Sequence, residues 1–217
     1  MRVGRHYLGD AGRSYFDYQA AAAELGAEID RWKFERHVDE RDTVVDFGCG
    51  TGALLAALRA ARKIGVEVSE PAAAVARRRG IEVVGLTAEL EDGAADVVIS
   101  NHALEHTVAP FEELCDLHRI LKDGSKFVLW LPIDDWRVQR TAKNDPDHHL
   151  YTWTPRLLRN LLAEADFDVV ECRVVDHAWP PMNHLLARLH TRAFDAAAFA
   201  WSILRKRRQL MALARPR

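Results

Sequence analysis

The sequence predicts an α/β protein built on a doubly wound, mostly parallel sheet with helices on both faces. Apolar, β-branched runs alternate with helical segments along the chain, which is the pattern of βαβ units. The first apolar run, residues 44–47, leads directly into a loop with glycines at positions 48, 50 and 52. Glu67 follows about 20 residues after Gly48, the spacing at which such a fold places an acid against a ribose. These three observations together predict a nucleotide-binding fold.

Length and composition predict one globular domain over residues 1–217, made of a helical cap (1–40), a core (41–175) and a helical insertion with a closing strand (176–217). Hydrophobic residues make up 48% and charged residues 29%, which excludes wholesale disorder. The three cysteines are far apart and form no CxxC pair, so we expect a reducing, cytoplasmic compartment without disulfides or structural zinc. The sequence shows neither an apolar signal core nor the ~18 uninterrupted apolar residues of a membrane span.

A helix is predicted before the first strand, over residues 14–37, with Ser14 as its N-cap. Leu25, Ile29 and Trp32 recur at helical spacing and fall on one face of this helix. That face is expected to pack against the core.

The glycine loop joins the first strand to a helix predicted over residues 53–60. Glycines suit a loop that takes positive φ angles and lets a ligand touch the backbone, and a helix N-terminus adds unpaired N–H groups. Gly48-x-Gly50-x-x-Ala53 fits a dinucleotide fingerprint. Asp46 lies two residues before the first glycine, where a carboxylate suits a ligand that carries an ammonium group.

The next strands follow in the order of a doubly wound sheet. The second strand ends over residues 64–69 and carries Glu67, whose two carboxylate oxygens suit a ribose diol. Pro71 begins a helix over residues 72–79, and residues 81–84 form a short third strand.

The fourth strand, residues 95–101, is apolar and then abruptly polar. An amphipathic helix opened by Pro110 follows, and Asp123-Gly124 turns the chain into a fifth strand over residues 126–131.

An irregular segment, residues 132–153, collects polar and aromatic groups at the carboxyl end of the fifth strand. The glycine loop lies at the same edge of the sheet, so we expect the substrate to bind there. Thr154 and Pro155 then open a helix as N-cap and first helical residue. Residues 167–175 form the sixth strand, and residues 181–205 form a helical insertion.

Three motifs resemble those of the class I, Rossmann-like S-adenosylmethionine-dependent methyltransferases. They are the glycine loop with its preceding acid, the acid at the end of the second strand and the polar stretch after the fourth strand: Asp46-x-Gly48-x-Gly50-x-Gly52, Glu67 and Asn101-His102-Ala103-Leu104-Glu105-His106. The resemblance spans about residues 40–175. It implies S-adenosylmethionine as cofactor and a seven-stranded sheet whose closing strand, residues 209–214, is antiparallel.

The resemblance also implies which residues hold the cofactor. In the family the glycine loop holds the methionine end and the acid after the second strand holds the ribose. The implied cofactor-binding residues are Asp46, Gly48, Cys49, Gly50, Gly52, Glu67, Val68, Thr87, Ala88, Asn101 and His102. Many members hold the adenine amino group with an acid just after the third strand. Here Leu86 takes that place, so backbone groups around Thr87 and Ala88 are expected to serve. The N-terminal helix often closes over the cofactor in the family, which adds as contact candidates Arg13, Tyr15, Phe16 and Gln19.

Methyl transfer from a sulfonium requires alignment of the acceptor with the methyl group, and a base only where the acceptor loses a proton. Histidine is the usual base near neutral pH. His148 and His149 are the first candidates because they lie in the predicted substrate segment beside Asp145 and Asp147, which could orient an imidazole. His102 is the third candidate. The expected acceptor is an oxygen or nitrogen of a small molecule or sugar.

Three alternatives stay open. His102, Glu105 and His106 would share a face if this segment is helical, and with His148 or His149 they could bind a divalent metal that activates a hydroxyl. Some small-RNA 2′-O-methyltransferases and quinone-biosynthesis methyltransferases, which this stretch resembles, do so; we nevertheless predict a metal-free site. An NAD-binding oxidoreductase would share the glycine loop, and a non-catalytic cofactor-binding module would share the fold.

Charge is unevenly distributed along the chain. The net charge of the chain is −2, yet the segment after residue 185 contains eight Arg or Lys residues and only one acid, Asp195. A basic C-terminal segment keeps nucleic-acid or lipid-linked acceptors open as alternatives to a small molecule. The sequence does not predict the oligomeric state.

Overall fold

Seven strands form a single sheet in the computed structural model and confirm the predicted α/β fold. The structure describes residues 4–7, 9–20, 23–133, 148–181, 183 and 191–217. In chain order the strands are β1 (Thr43–Phe47), β2 (Arg62–Val66), β3 (Glu82–Val84), β4 (Ala95–Asn101), β5 (Leu121–Ile133), β6 (Phe167–Val175) and β7 (Arg208–Pro216).

The sheet order is β3-β2-β1-β4-β5-β7-β6. Strands β1 to β5 pair in parallel, and β7 is antiparallel to both of its neighbours, as predicted for the closing strand. Because β1 pairs with β2 on one side and with β4 on the other, the winding reverses at β1. In doubly wound sheets a crevice opens beyond the carboxyl ends of the strands at such a reversal.

The helices cover both faces of the sheet and its carboxyl edge. They are α1 (Gly9–Ala20), α2 (Ala23–Asp30), α3 (Trp32–Glu35), α4 (Ala53–Ala57), α5 (Glu70–Arg78), α6 (Pro110–Ile120), α7 (Pro155–Glu164) and α8 (Thr191–Arg205). Helix α7 begins as predicted, since Thr154 Oγ1 accepts a hydrogen bond from Leu157 N at 3.2 Å. Of the predicted insertion, residues 182 and 184–190 lie outside the described residues. No helix in the described part of the chain has the length and apolarity needed to cross a bilayer.

The N-terminal cap differs from the single helix predicted over residues 14–37. The structure has three helices there, and α1 begins at Gly9, so Ser14 lies inside α1 and is not its N-cap. The apolar residues of α2 and α3 keep their helical spacing across the break at Arg31. Periodicity alone therefore could not reveal that break.

The turn predicted at residues 123–124 is instead an irregular part of β5. Ala95 of β4 pairs with Leu121, whereas Val97 pairs with Lys126, so β5 carries extra residues between these two pairs. Such a bulge disturbs the ladder locally without ending the strand. The turn-forming residues are thus absorbed within the sheet.

Two apolar layers hold the sheet, one on each face. Val44 and Val45 are both fully buried but belong to opposite layers. The layer of Val45 includes Leu114 of α6 and Leu158 of α7, and that of Val44 includes Leu55 of α4. Neighbouring residues of β1 therefore face opposite helices, as a strand buried on both sides requires. This packing fixes the loops at the carboxyl edge of the sheet.

Candidate active site

A cavity of about 690 Å³ opens beyond the carboxyl ends of β1, β2 and β4. We call one part the loop end, which comprises the residues around Gly48, Glu67 and Thr87. The other part is the cap end, which comprises the residues around Asp30 and His102. The two ends belong to one continuous cavity, so a single elongated ligand or two adjacent ligands can occupy it.

The glycine loop takes a backbone conformation that favours glycine. Gly48, Gly50 and Gly52 have φ angles of 77°, 54° and 73°. A Cβ on Gly48 would overlap the side chain of Ala103, whereas among the described residues no atom lies within 4 Å of a Cβ built on Gly50. Gly52 lies behind the cavity lining, where a Cβ would be 3.2 Å from Ala76 Cα of α5. The first two glycines thus shape the cavity wall, and the third allows close packing of α5.

Glu67 is fixed at the loop end by backbone N–H groups. Its Oε2 accepts from Gly50 N at 2.8 Å, and its Oε1 accepts from Ser69 N at 2.7 Å. Burial raises the pKa of Glu67, and the hydrogen bonds from Ser69, Gly50 and Val68 oppose that rise. A carboxylate has about four acceptor positions. Glu67 can therefore hold the glycine loop in place and still accept hydroxyl groups from a ligand.

Two further side chains of the loop end are buried beneath the glycine loop. Asp46 is 2% exposed, and burial together with the nearby charge of Glu67 raises its pKa to about 7. A cationic group in the cavity would favour the ionised form of Asp46. Burial also raises the pKa of the Cys49 thiol, and its sulfur lies where a Cβ on Gly65 would be. Cys49 also lines the cavity, where it presents a protonated thiol.

The far side of the loop end is formed by the chain after β2 and β3. Val68 and Thr87 line the cavity, while Ala88 is exposed and lies outside the lining. Leu86 is 41% exposed and offers no polar side-chain atom. Glu113 of α6 lines the cavity opposite, with its Oε2 3.5 Å from Thr87 Oγ1. The sequence analysis did not identify Glu113, because an acid in the first turn of a helix is common for dipole reasons alone.

A buried polar network joins the N-terminal cap to the sheet at the cap end. Lys33 Nζ lies 2.9 Å from Asp30 Oδ2 and donates to Gln209 Oε1 at 2.8 Å and to Asn101 Oδ1 at 3.2 Å. Asn101 Nδ2 donates to Asp30 Oδ2 at 3.1 Å. Burial lowers the pKa of Lys33, although the negative charge of Asp30 acts to raise it. Burial also works to raise the pKa of Asp30, but the Lys33 ammonium holds it below its ordinary value.

His102 lies at the end of β4 with a φ angle of 57° and lines the cap end. Gln209 Nε2 donates to the carbonyl of His177 at 2.7 Å, which makes Gln209 Oε1 the acceptor on its other side. His102 Nε2 is 3.1 Å from that oxygen and therefore carries the ring proton. Burial, with the charge of Lys33, lowers the pKa of His102 to about 4. His102 is thus a neutral imidazole whose Nδ1 accepts.

A cluster of ionisable groups lies beside His102. One potential ligand atom from each of Glu105, His106 and His149 lies within 4.8 Å of the other two. Glu105 is fully buried, and both histidines line the cavity. Tyr7 Oη lies 2.6 Å from His106 Nδ1. Burial and the neighbouring His149 lower the pKa of His106 to about 4, so this imidazole is neutral.

The two adjacent histidines proposed as bases occupy different places. His149 lines the cavity, whereas His148 lies outside the lining and its ring stacks on His6 with centroids 4.4 Å apart. The predicted orienting acids Asp145 and Asp147 lie outside the described residues. The structure therefore brings His149 and His102 together at the cap end and leaves His148 behind them.

The N-terminal contact candidates also divide. Phe16 lines the cavity, and Arg13 is exposed outside the lining. The side chains of Tyr15 and Gln19 lie outside the part of the chain that the structure describes. The cap residues that the sequence analysis missed are Asp30 and Lys33, which belong to no motif and become polar wall residues only through folding.

Comparisons with known proteins agree with this geometry. A family profile described as a methyltransferase domain matches residues 11–172. Ribosomal protein L11 methyltransferase of Thermotoga maritima is 35% identical over 126 residues, which are 53% of this chain and 46% of that protein. An uncharacterized 37.1 kDa protein in transposon TN4556 of Streptomyces fradiae is 31% identical over 108 residues, 44% of this chain and 31% of that protein. The chain thus spans less than half the length of these curated relatives.

A solved structure, a SAM-dependent methyltransferase from Archaeoglobus fulgidus, has the same fold, with a TM-score of 0.65 and 18% identity over 93% of this chain and 99% of that one. A doubly wound sheet with a glycine loop at its winding reversal defines the class of nucleotide-binding α/β domains. The family match over most of the chain goes further: the chain belongs to the methyltransferase-domain family. The expected membership of a methyltransferase family is confirmed, which favours S-adenosylmethionine over NAD as the ligand of the glycine loop.

Proposed function

We propose that this protein transfers the methyl group of S-adenosylmethionine to an oxygen or nitrogen atom of a small-molecule or sugar acceptor. One observation carries the proposal: the loop end and the cap end meet in one cavity at Gly48, Asn101 and His102. The loop end offers groups that suit a nucleoside and an ammonium group. The cap end offers neutral imidazoles that suit a second, reacting molecule.

The cofactor lies along the loop end in this proposal. Its ammonium group faces Asp46, whose buried carboxyl gains from a nearby positive charge, and Gly48 and Gly50 leave the backbone open to the methionine part. Its ribose hydroxyls donate to the fixed carboxylate of Glu67. The sulfonium lies beside Asn101 and His102 at the end of β4. Val68 and Thr87 contact the base, while Gly52 and Ala88 contribute through packing and backbone.

The acceptor approaches from the cap end. Bound S-adenosylmethionine would supply the methyl group: as the acceptor's lone pair formed the new bond to the methyl carbon, the carbon–sulfur bond would break and its electron pair would leave a neutral thioether. A hydroxyl acceptor must also lose its proton, for which an imidazole within reach is suitable. His149 is the best placed of the three histidines because it lines the cavity, and His102 is second because its Nδ1 can accept.

Metal-assisted transfer to a hydroxyl is a second candidate, favoured by the Glu105, His106 and His149 cluster. One carboxylate and two imidazoles within 4.8 Å of one another fit the donor preferences of divalent transition ions. His102 lies outside the 3₁₀ turn Leu104–His106, but its Nδ1 is 3.9 Å from Glu105 Oε1, so His102 borders this cluster. A bound divalent ion supplies Lewis-acid chemistry that lowers the pKa of a coordinated hydroxyl.

The basic segment supports an anionic acceptor. Arg205, Lys206 and Arg207 are exposed at and just after the end of α8, and Arg207 and Arg208 line the cavity. Arg208 also pairs with Asp176 at 2.8 Å. Positive charge at the cap end would attract a nucleotide-linked, lipid-linked or nucleic-acid acceptor.

Calorimetric titration with S-adenosylhomocysteine tests the proposal directly. We expect saturable binding with one site per chain, and no binding of NAD. Titrations with Mn²⁺ and with Mg²⁺, each made with and without bound S-adenosylhomocysteine, test the metal-assisted reaction. Absence of S-adenosylhomocysteine binding, with or without metal, would remove the methyltransferase assignment for this chain. Binding of Mn²⁺ that disappears in a His149→Asn variant would favour the metal-assisted reaction.

A further inference from the structure

The loop end lacks an acidic side chain at the position after β3, where Leu86 stands. Adenine presents an amino group that donates hydrogen bonds and ring nitrogens that accept them. A site that selects adenine needs an acceptor facing the amino group. The further inference rests on the proposed cofactor placement and concerns which residue supplies that acceptor.

Few carboxylates line the cavity in the part of the chain that the structure describes. Among the described residues the acids that line the cavity are Asp30, Asp46, Glu67 and Glu113. Asp46 and Glu67 lie at the glycine loop, and Asp30 is held by Lys33 at the cap end. Glu113 is the acid that lies next to the chain after β3. It is 7% exposed, so its carboxylate is removed from bulk water.

Glu113 is held in a fixed position relative to the turn Thr87–Glu89. Arg119, further along α6, donates to the carbonyl of Leu90 at 2.8 Å and to the carbonyl of Thr87 at 3.2 Å. Glu89 is exposed, and its carboxylate accepts from Leu86 N at 2.7 Å, so it serves to hold the turn. The helix and the turn therefore form one wall.

Thr87 completes that wall. It is 1% exposed, lines the cavity, and its Oγ1 lies 3.5 Å from Glu113 Oε2. The pair offers a carboxylate that only accepts and a hydroxyl that can donate. Adenine has the matching arrangement at its edge, an amino donor beside the acceptor nitrogen N1. Hypoxanthine has the opposite one, a carbonyl acceptor beside an N1–H donor.

We propose that Glu113 and Thr87 read the amino edge of the cofactor's adenine, which makes Glu113 a specificity-determining residue. The Glu113 carboxylate accepts a hydrogen bond from the adenine amino group. The Thr87 hydroxyl donates a long hydrogen bond of 3.5 Å to Glu113 Oε2 in the unliganded protein, and it turns to donate to N1 when adenine binds. Leu86 then needs no polar role, because α6 supplies the acid in the same wall of the cavity.

Calorimetric titration with S-adenosylhomocysteine and with S-inosylhomocysteine, which carries a carbonyl in place of the amino group, tests the proposal. The wild-type protein should prefer the adenosyl compound by at least about tenfold, because the inosyl carbonyl faces a buried carboxylate. In Glu113→Gln the preference should fall to within about threefold of unity, since a glutamine amide can donate to a carbonyl or accept from an amine. Circular dichroism and thermal unfolding check that the variant is folded.

Glu112→Gln is the matched control, because Glu112 precedes Glu113 on α6, is exposed and lies outside the cavity lining. It should keep the wild-type preference. An unchanged preference in folded Glu113→Gln, or equal loss of both ligands, would overturn the proposal. A wild-type preference near unity would overturn it even if Glu113→Gln fails to fold. Failure of the wild-type protein to bind either compound would instead refute the cofactor placement on which the inference rests.

Discussion

The loop end and the cap end of the cavity are built in opposite ways. At the loop end the contacts are local: Gly50 and Ser69 donate backbone N–H groups to Glu67, all within two adjacent βα units. At the cap end Lys33 reaches Asn101 and Gln209, residues that are far apart in sequence, through side chains alone. The first end is fixed by backbone geometry, and the second by side chains that meet only in the folded molecule.

The two ends therefore differ in what has to stay constant. At the loop end the backbone holds a few ligand-facing side chains such as Glu67 in place, so this end suits a ligand that does not change. A site assembled from distant side chains changes with each of them, so it suits the part that distinguishes one acceptor from another. Four predictions test this contrast.

Replacing the candidate base should have the largest effect on turnover. His149→Asn should lower methyl transfer from labelled S-adenosylmethionine to a hydroxyl acceptor by about 100-fold or more, the usual contribution of a general base. Binding of S-adenosylhomocysteine should stay within threefold of wild type, on the order of 0.7 kcal/mol or less. His148→Asn is the control, since His148 lies outside the cavity lining, and its turnover should match wild type. Equal losses of turnover in the two variants would indicate that both histidines have a structural role and that neither is the base.

Breaking the cap network should cost the most stability. Lys33→Met leaves the buried Asp30 carboxylate without its cation, which should lower the free energy of unfolding by about 3–5 kcal/mol. Arg31→Met removes a cation from an exposed pair with Glu35 in the same segment and should change stability little. Urea unfolding followed by circular dichroism measures both. A Lys33→Met protein as stable as wild type would mean that the network does not hold the cap.

Removing the ribose acceptor should weaken cofactor binding by a smaller amount. Glu67→Ala deletes a charged acceptor, and S-adenosylhomocysteine affinity should fall by about 1.5–3 kcal/mol, the scale of hydrogen bonds to charged groups. Glu70→Ala, three residues away on the exposed side of α5, should leave the affinity unchanged. Calorimetry compares the two. Wild-type affinity in a folded Glu67→Ala protein would show that the ribose binds elsewhere.

The smallest effect expected is a pH dependence of cofactor binding. Burial raises the pKa of Asp46 to about 7 in the unliganded protein, and an ammonium ligand favours the ionised form. Affinity for S-adenosylhomocysteine should therefore rise with pH through 7, by about tenfold between pH 6 and pH 8. The pKa of Glu67 is raised as well, so both acids act in the same direction. Titrations of Asp46→Asn should lose most of this slope; an unchanged slope would assign the effect to another group.

The loop end could be predicted from the sequence because its chemistry is local. The spacing of Asp46, the three glycines and Glu67 within one βαβ unit reflects a fixed backbone geometry, and the structure places Asp46, Gly48, Gly50 and Glu67 along the cavity wall. The mostly parallel sheet also followed from the pattern of apolar runs, and its antiparallel closing strand followed from the family resemblance.

The cap end could not be predicted in the same way. Asp30 and Lys33 lie in a segment whose sequence has the pattern of an amphipathic helix. No residue near them in the sequence indicates that Gln209 lies beside Lys33 in the folded protein. Glu113 was hidden for a related reason, because acids in the first turn of a helix are favoured by its dipole whatever they face. The break at Arg31 left the apolar spacing intact. Hydrophobic periodicity therefore reveals neither contacts between residues far apart in sequence nor a helix break that keeps the apolar spacing.

The position of β7 has a consequence for how the molecule is made. This strand enters the sheet between β5 and β6, and it carries Gln209, which holds Lys33 near the opposite end of the chain. On a ribosome, the glycine loop and Glu67 emerge together and can adopt their local geometry early. The wall that faces the acceptor cannot close until residue 209 has been synthesised and inserted. The loop end can therefore form before the cap end, which is complete only when β7 has entered the sheet.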